Sequence, residues 1–232
     1  MKINFIMPGL GDSGGIKVVR RYASMMNDRG IDVIVYSPIK AYNFHRYTSS
    51  IKNKMHQIYC TFKTILTMLQ HDKPEIKWVW SINNKTIRDA DKVIATAWVT
   101  AYDIMELDKR KGEKWYFIQD FEIWDNYDYG VKSYTLPLKK IVISNRINNE
   151  LKNNLGIGPF PVIFNGIDTN IFKKEQKKYE KKDMVFLMLN HTLEKNGVKQ
   201  GLKVFEKVRK SFPDVKLVMF GMCSSSNLPN YV

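Results

Sequence analysis

The chain has 232 residues, of which 44% are hydrophobic and 26% charged, a globular balance that excludes an intrinsically disordered chain and can bury a sizeable core. That length exceeds one ordinary α/β domain and falls short of two complete ones. The formal net charge of +14 favours anionic partners (phosphorylated substrates, acidic headgroups or nucleic acid), and no apolar run of about 18 residues is present to cross a bilayer.

The chain opens with Ile3 to Met7, an apolar run stopped by Pro8-Gly9. It is too short for the core of a signal peptide and reads as a buried strand. Ile16, Val19, Tyr22, Ala23 and Met26 follow at helical spacing, and Arg29-Gly30 closes the helix. Val33 to Tyr36 is a second strand, so the chain begins with a β-α-β unit, which favours a right-handed parallel crossover. Ile51, Met55, Ile58, Phe62, Ile65 and Leu69 recur every three or four positions, predicting a long amphipathic helix that ends near His71-Asp72. Strands are expected at Lys77 to Trp80 and Lys92 to Thr96, a helix over Val99 to Leu107, and a strand over Lys114 to Ile118. Residues 120–137, rich in aromatic and acidic side chains, read as a functional loop. Lys140 to Ser144 is a strand, with Ser144 or Asn145 placed to cap the helix Arg146 to Asn154. Gly156 and Gly158 stop that helix, and Pro161 to Phe164 is a last short strand.

The texture changes at KKEQKKYEKKD, residues 173–183, a charged run without an apolar core. It divides a first domain, 1–172, from a second segment, 184–232. The second segment repeats the opening pattern: the strand MVFLML, a loop, the helix Val198 to Ser211, and the strand Val215 to Phe220. One β-α-β unit makes a poor independent core, because its helix covers one face only. The expected fold is therefore a Rossmann-like, doubly wound α/β domain with a parallel sheet, plus an incomplete second Rossmann-like β-α-β unit.

Two places invite chemistry. The run Gly9-Leu10-Gly11-Asp12-Ser13-Gly14-Gly15 lies between the first strand and the first helix, where glycines admit close ligand approach and a helix amino terminus offers N–H groups to an anion. Gly9, Gly11 and Gly14 fit the dinucleotide-binding spacing. However, the second strand ends in Tyr36-Ser37-Pro38, without the acidic residue that a dinucleotide ribose requires, which counts against an NAD enzyme. The second place is Gln119-Asp120-Phe121-Glu122, where an apolar strand delivers polar groups to its carboxyl end. Neighbouring carboxylates there can shift each other's pKa or bind sugar hydroxyls. The long helix is flanked by Arg46, Lys52, Lys54 and Lys63. The commonest role of such a stripe is packing against the sheet with lysines in water, and the alternative is contact with acidic lipid. The tryptophans are mostly core candidates, with Trp124 placed in the loop to stack on a ligand. His45, His56 and His71 have no metal-ligand spacing, and Cys60 and Cys223 form neither a disulfide framework nor a zinc pattern, which fits a reducing cytoplasm.

Three segments carry a family resemblance. GDSGGIKVVRRYASMMNDRGIDVIVYS resembles the opening of retaining GT-B glycosyltransferases of family 4. KKIVISNRINNELKNNLGIGPFPVIFNGIDTNIF resembles the end of their first domain, and NGID…F from Asn165 to Phe172 is the most specific piece. VFLMLNHTLEKNGVKQGLKVFEKVRKSFPDVKLVMFG resembles the start of their nucleotide-binding domain. The Gln-Asp-x-Glu pattern at Gln119, Asp120 and Glu122 resembles a rhamnosyltransferase-like subset, in place of the histidine many members carry. Where the family has Gly-Arg and Lys-Gly holding the donor diphosphate, this sequence has Asn190-His191 and Lys195-Asn196-Gly197. The family's paired glutamates fall later in the second domain, past the position of Val232.

The resemblance implies a glycosyltransferase with a nucleotide-sugar as donor substrate, no separate cofactor and no metal. It implies a glycan or lipid-linked acceptor and a cytoplasmic enzyme, peripheral at an acidic inner membrane face if that surface is used. Gly14 and Gly15 would make backbone contacts to the ligand, and Gln119, Asp120 and Glu122 would face the acceptor or reacting sugar. Asn165 would sit near the cleft between the domains, with Lys195 near the diphosphate and His191 able to join it when protonated. Lacking the later glutamates, the chain alone is expected to be inactive. The other reading is a non-catalytic binding or scaffold subunit that needs a partner chain. Specific nucleic-acid binding is not expected, since no recognition motif accompanies the charge.

Overall fold

A computed structural model describes residues 1–9, 13–43, 48–70, 76–123, 126–173, 184–191 and 197–221. The chain divides into two compact units, Met1–Ile167 and Asp168–Val232. Most of the expected linker, 174–183, lies outside the described residues.

In the first unit, β1 (Lys2–Ile6), β2 (Asp32–Pro38), β3 (Ile76–Val79), β4 (Lys92–Ala95), β5 (Glu113–Ile118) and β6 (Lys139–Val142) form one six-stranded sheet in the order β3-β2-β1-β4-β5-β6. Every pairing is parallel. This is the order of a doubly wound Rossmann sheet, in which the direction of winding reverses between β1 and β4. The alternation of β1 shows why both faces need cover. Ile3 and Phe5 enter the core that includes Val19 and Ala23 of α1 (Gly14–Asn27). Ile6 enters the opposite core with Ile104 of α3 (Trp98–Met105) and Ile147 and Leu151 of α5 (Asn145–Leu155). Between Ile3 and Phe5, buried Asn4 is satisfied by Arg88, donating to its carbonyl (3.0 Å) and accepting from its Nε (3.0 Å). Arg88 in turn grips both carboxylate oxygens of Asp32 at 2.7 Å.

Three expectations are corrected. Residues 120–137 are not all loop: they contain α4 (Tyr127–Ser133), capped by Asn126, whose Oδ1 accepts the Tyr129 N–H (3.3 Å). Its formation depends on tertiary packing, since Gly130 lets it close onto the backbone of Glu122 and Ile123. The strand expected at Pro161 to Phe164 reduces to a single parallel bridge, Val142 to Val162. Prolines at 159 and 161 remove the donors a longer ladder needs.

The third correction concerns α2 (Ser50–Gln70), whose apolar stripe does not pack on the sheet. Ile51 is 73% exposed, Phe62 60% and Leu69 73%, while Asn53 is buried. Polar anchors hold this helix instead. Gln57 Nε2 donates to the Ala41 carbonyl (2.7 Å), and Thr61 Oγ1 accepts the Ala41 N–H (3.0 Å). Its expected end at His71-Asp72 falls outside the described residues.

The second unit pairs β7 (Val185–Asn190) with β8 (Lys216–Gly221) in parallel, joined by α6 (Val198–Ser211). Phe205 of α6 packs on Val215 and Leu217, with Met188 alongside. Leu187, by contrast, is 71% exposed, as expected of a sheet with a helix on one face only.

Candidate active site

In a doubly wound sheet, ligands bind outside the carboxyl ends of the strands, where the winding reverses. In this chain that point is flanked by the turns after β1, β4 and β5, and the same turns deliver its chemistry. After β1, Ser13 caps α1 by accepting the Ile16 N–H (3.4 Å). The N–H groups of Gly14 and Gly15 then lie in the first turn, where no acceptor exists inside the helix, and the helix dipole adds partial positive charge. Leu10, Gly11 and Asp12 of this turn lie outside the described residues.

Gly15 meets the turn after β5. A Cβ at Gly15 would lie 3.3 Å from both amide heteroatoms of Gln119. The Gln119 Oε1 is buried and has no hydrogen-bond partner among the described residues. An unsatisfied buried acceptor carries a cost that a hydroxyl donor would relieve.

Asp120 and Glu122 differ in environment. Asp120 Oδ1 accepts from Arg146 Nη2 (2.8 Å) at the start of α5 and from the Phe121 N–H (2.9 Å). Glu122 is half-buried, and its Oε2 accepts the Trp98 N–H (3.1 Å) at the first residue of α3. Desolvation pushes the Glu122 carboxyl up to about 8. The Trp98 N–H opposes that rise and the charge of Asp120 adds to it. At neutral pH Glu122 is therefore mostly protonated and can donate as well as accept a hydrogen bond. The sequence suggested two carboxylates perturbing one another, but burial is the larger cause.

Tyr134 holds this turn in place. Its hydroxyl accepts the Glu122 N–H (2.5 Å) and lies 3.2 Å from the Asp120 carbonyl. Its ring stacks between Tyr116 (5.8 Å, 7°) and Phe121 (5.4 Å, 11°). The α3 turn is fixed separately by the buried Thr100 hydroxyl, which accepts the N–H groups of Thr96 (3.0 Å) and Ala97 (3.1 Å).

The structure thus brings Gly15 to Gln119 and carries Asp120 and Glu122 on the same turn. Gly14 adjoins them, with open space around its α-carbon. Asn165 is exposed, one residue past Phe164, whose carbonyl accepts the α1 hydroxyl of Tyr22 (3.4 Å). His191 is exposed directly after β7 in the second unit. Lys195 and Trp124 lie outside the described residues. Sequence reasoning missed Trp98 as a partner of Glu122, and also Gly130, Tyr134 and Arg146. Only Tyr134 carried any signal, as an aromatic in the expected loop 120–137; Arg146 reaches Asp120 from 26 residues away. Among the described residues no group of three or more His, Cys, Asp or Glu is arranged to hold a metal, and no helix is long and apolar enough to cross a membrane.

No protein-family model matches the chain, and no curated protein matches it in sequence. Solved structures do match in fold. The lipopolysaccharide outer core galactosyltransferase WaaB, in its apo form, superposes with a TM-score of 0.51 at 16% identity, covering 97% of this chain and 69% of that one. A mutant of S. aureus TarM, in complex with fondaparinux, alpha-GlcNAc-glycerol and UDP, gives 0.58 at 10% identity, covering 97% and 73%. An alpha-glucosyltransferase in complex with UDP and a mismatched DNA gives 0.56 at 13% identity, covering 96% and 56%. These neighbours are GT-B glycosyltransferases, and the chain shares their Rossmann-like architecture. At such identities the likeness is one of fold.

Proposed function

We propose that this chain is part of a GT-B glycosyltransferase that moves a sugar from a nucleotide-sugar donor to a glycan or lipid-linked acceptor, with retention of configuration. The observation that carries the reading is the meeting of Gly15 with the Gln119 amide, whose oxygen is buried, at the reversal point of the sheet, beside Glu122, whose carboxyl desolvation pushes up. Gly14 and Gly15 would offer backbone N–H groups to an anion or hydroxyl. Gln119 and Glu122 would bind hydroxyls of the acceptor or reacting sugar, and Asp120, braced by Arg146, would add negative charge near an oxocarbenium-like centre. Following the resemblance of NGID…F and of the second segment, Asn165 is assigned to the cleft between the domains, Lys195 to the donor diphosphate, and His191 to the diphosphate when protonated. On this reading the first domain (1–172) is the acceptor side, 173–183 the linker, and 184–232 the start of the nucleotide-sugar domain, following the resemblance to family 4 and its rhamnosyltransferase-like subset. The donor is a substrate and no further cofactor is invoked. TarM and the alpha-glucosyltransferase were both solved with UDP, which supports a nucleoside diphosphate as the first probe.

The test is calorimetric titration of the chain with uridine, guanosine and deoxythymidine diphosphates and their sugar conjugates. Selective binding is expected, weakened about tenfold or more, equivalent to about 1.4 kcal/mol, by Gly15→Ala and by Lys195→Ala. A folded chain that binds none of them overturns the donor-site assignment. The non-catalytic alternative draws on the exposed apolar side chains of the second unit, and stable association with a partner chain, without nucleotide binding, would favour it.

The reading extends to an acidic membrane face. The exposed stripe of α2 supports this, because Lys52, Lys54 and Lys63 flank it and no acidic residue lies between Ser50 and Gln70. Apolar area combined with cations suits anionic lipid. Co-flotation with phosphatidylglycerol vesicles, lost with phosphatidylcholine alone and lost in Phe62→Glu, is the expected result. Flotation with neither lipid at low salt would rule the surface out.

A further inference from the structure

Beside Glu122 the first unit contains a cavity of about 310 Å³ lined by Tyr42, Trp98, Tyr102, Asp103, Asn126 and Tyr129. Its size is at the lower end of small-molecule sites, about 300–1,000 Å³. Trp98 joins it to the candidate site, since the residue that lines the cavity also donates its N–H to Glu122.

The lining is specific in shape. Trp98 and Tyr102 meet edge to face (6.3 Å, 89°), and Tyr102 and Tyr129 do so at 6.0 Å and 65°. Tyr102 is fixed by its hydroxyl, which donates to the Tyr129 carbonyl (2.8 Å). In these two contacts the rings make angled walls. The carboxylate of Asp103, hydrogen-bonded by the Tyr42 hydroxyl, accepts hydrogen bonds and repels phosphate when ionised. Aromatic faces carry negative charge density, which attracts the weakly positive C–H face of a sugar ring. Angled rings around an acceptor carboxylate suit a neutral polyhydroxylated ring better than a nucleotide.

The geometry points to this cavity as a subsite for a neutral pyranose, one residue of the acceptor glycan, seated beside Glu122. The role as acceptor rests on the glycosyltransferase reading, whereas the binding itself does not. The experiment is saturation-transfer NMR on the full chain with millimolar methyl pyranosides of glucose, galactose, N-acetylglucosamine and rhamnose, with tryptophan fluorescence as a second readout and UDP in a parallel arm. At least one glycoside should receive saturation on its ring protons. Tyr129→Ala, at an exposed position that spares the fold, and Asp103→Asn, which keeps an acceptor for Tyr42, should each weaken that binding about tenfold or more. Lys152→Ala on α5, exposed and outside the cavity lining, should leave it unchanged. No binding to the wild-type chain, or binding indifferent to both cavity variants, overturns the proposal. So does displacement of the glycoside by uridine, which would make this a nucleobase site. UDP binding without any pyranoside overturns the subsite while leaving the transferase reading intact. Pyranoside binding that the variants abolish, with no nucleotide bound, supports the subsite and counts against the transferase reading.

Discussion

Replacing Glu122 with glutamine should stabilise the protein at alkaline pH by several kcal/mol and leave it nearly unchanged at pH 4. The wild-type carboxyl is raised from 4.5 to about 8, chiefly by desolvation. The unfolded chain loses this proton near pH 4.5 and the folded chain keeps it to about 8, so the unfolded state binds fewer protons throughout that window. By linkage, folding stability falls as pH rises across the window and is flat beyond it. A shift of this size corresponds to about 4–5 kcal/mol at most, since one pKa unit is worth about 1.4 kcal/mol. Glutamine cannot ionise, yet its oxygen can still accept the Trp98 N–H, so the variant removes the titration and keeps the contact. Urea denaturation of both proteins at pH 4, 6 and 9 gives the comparison, and carboxylates remote from Glu122 cancel in the difference, whereas Asp120, whose charge adds to the Glu122 shift, does not. Parallel stability profiles across the three pH values would refute a raised Glu122.

Gly130→Ala should destabilise the protein and bring the Glu122 carboxyl down toward its ordinary range. Gly130 sits in α4 where an added Cβ would lie 2.8 Å from the Glu122 carbonyl oxygen and 3.1 Å from the Ile123 Cα. Both are backbone atoms, so no flexible side chain can yield, and either α4 or the turn must move. Overpacking of this kind costs about 1–3 kcal/mol, and the gain in helix propensity offsets about 0.5–1 kcal/mol of it. The net expectation is a loss of about 1–2 kcal/mol. A turn lifted from α4 admits water to Glu122 and weakens the desolvation that raises it. Carbon-detected NMR titration of Glu122, with a thermal melt, reads both effects. A variant that melts as the wild type does and keeps Glu122 near 8 would show that α4 does not brace the turn.

Both predictions concern contacts between segments that local sequence signals do not connect. The strands and helices of each β-α-β unit were legible because their signals are local. Apolar runs ended by Pro8-Gly9 or Gly30 and helices capped at Ser144 leave few other conformations open. The glycine turn after β1 and the polar exit of β5 could be named as sites for the same reason, since a parallel sheet places its ligands at those ends.

Tertiary structure decided the rest. Periodicity identified α2 as amphipathic but could not say which face would be covered. Gln57 and Thr61 anchor the helix to Ala41 and Asn53 is buried, while most of the apolar stripe remains in solvent. Helix α4 has little local drive to form, and its place is given by Gly130 closing on the backbone of Glu122 and Ile123. The strand order that sets the reversal point, the contact of Gly15 with Gln119, and the burial that keeps Glu122 protonated are likewise long-range. Local sequence determines which conformations a segment can adopt, whereas burial and pKa depend on what the rest of the chain excludes from water around it.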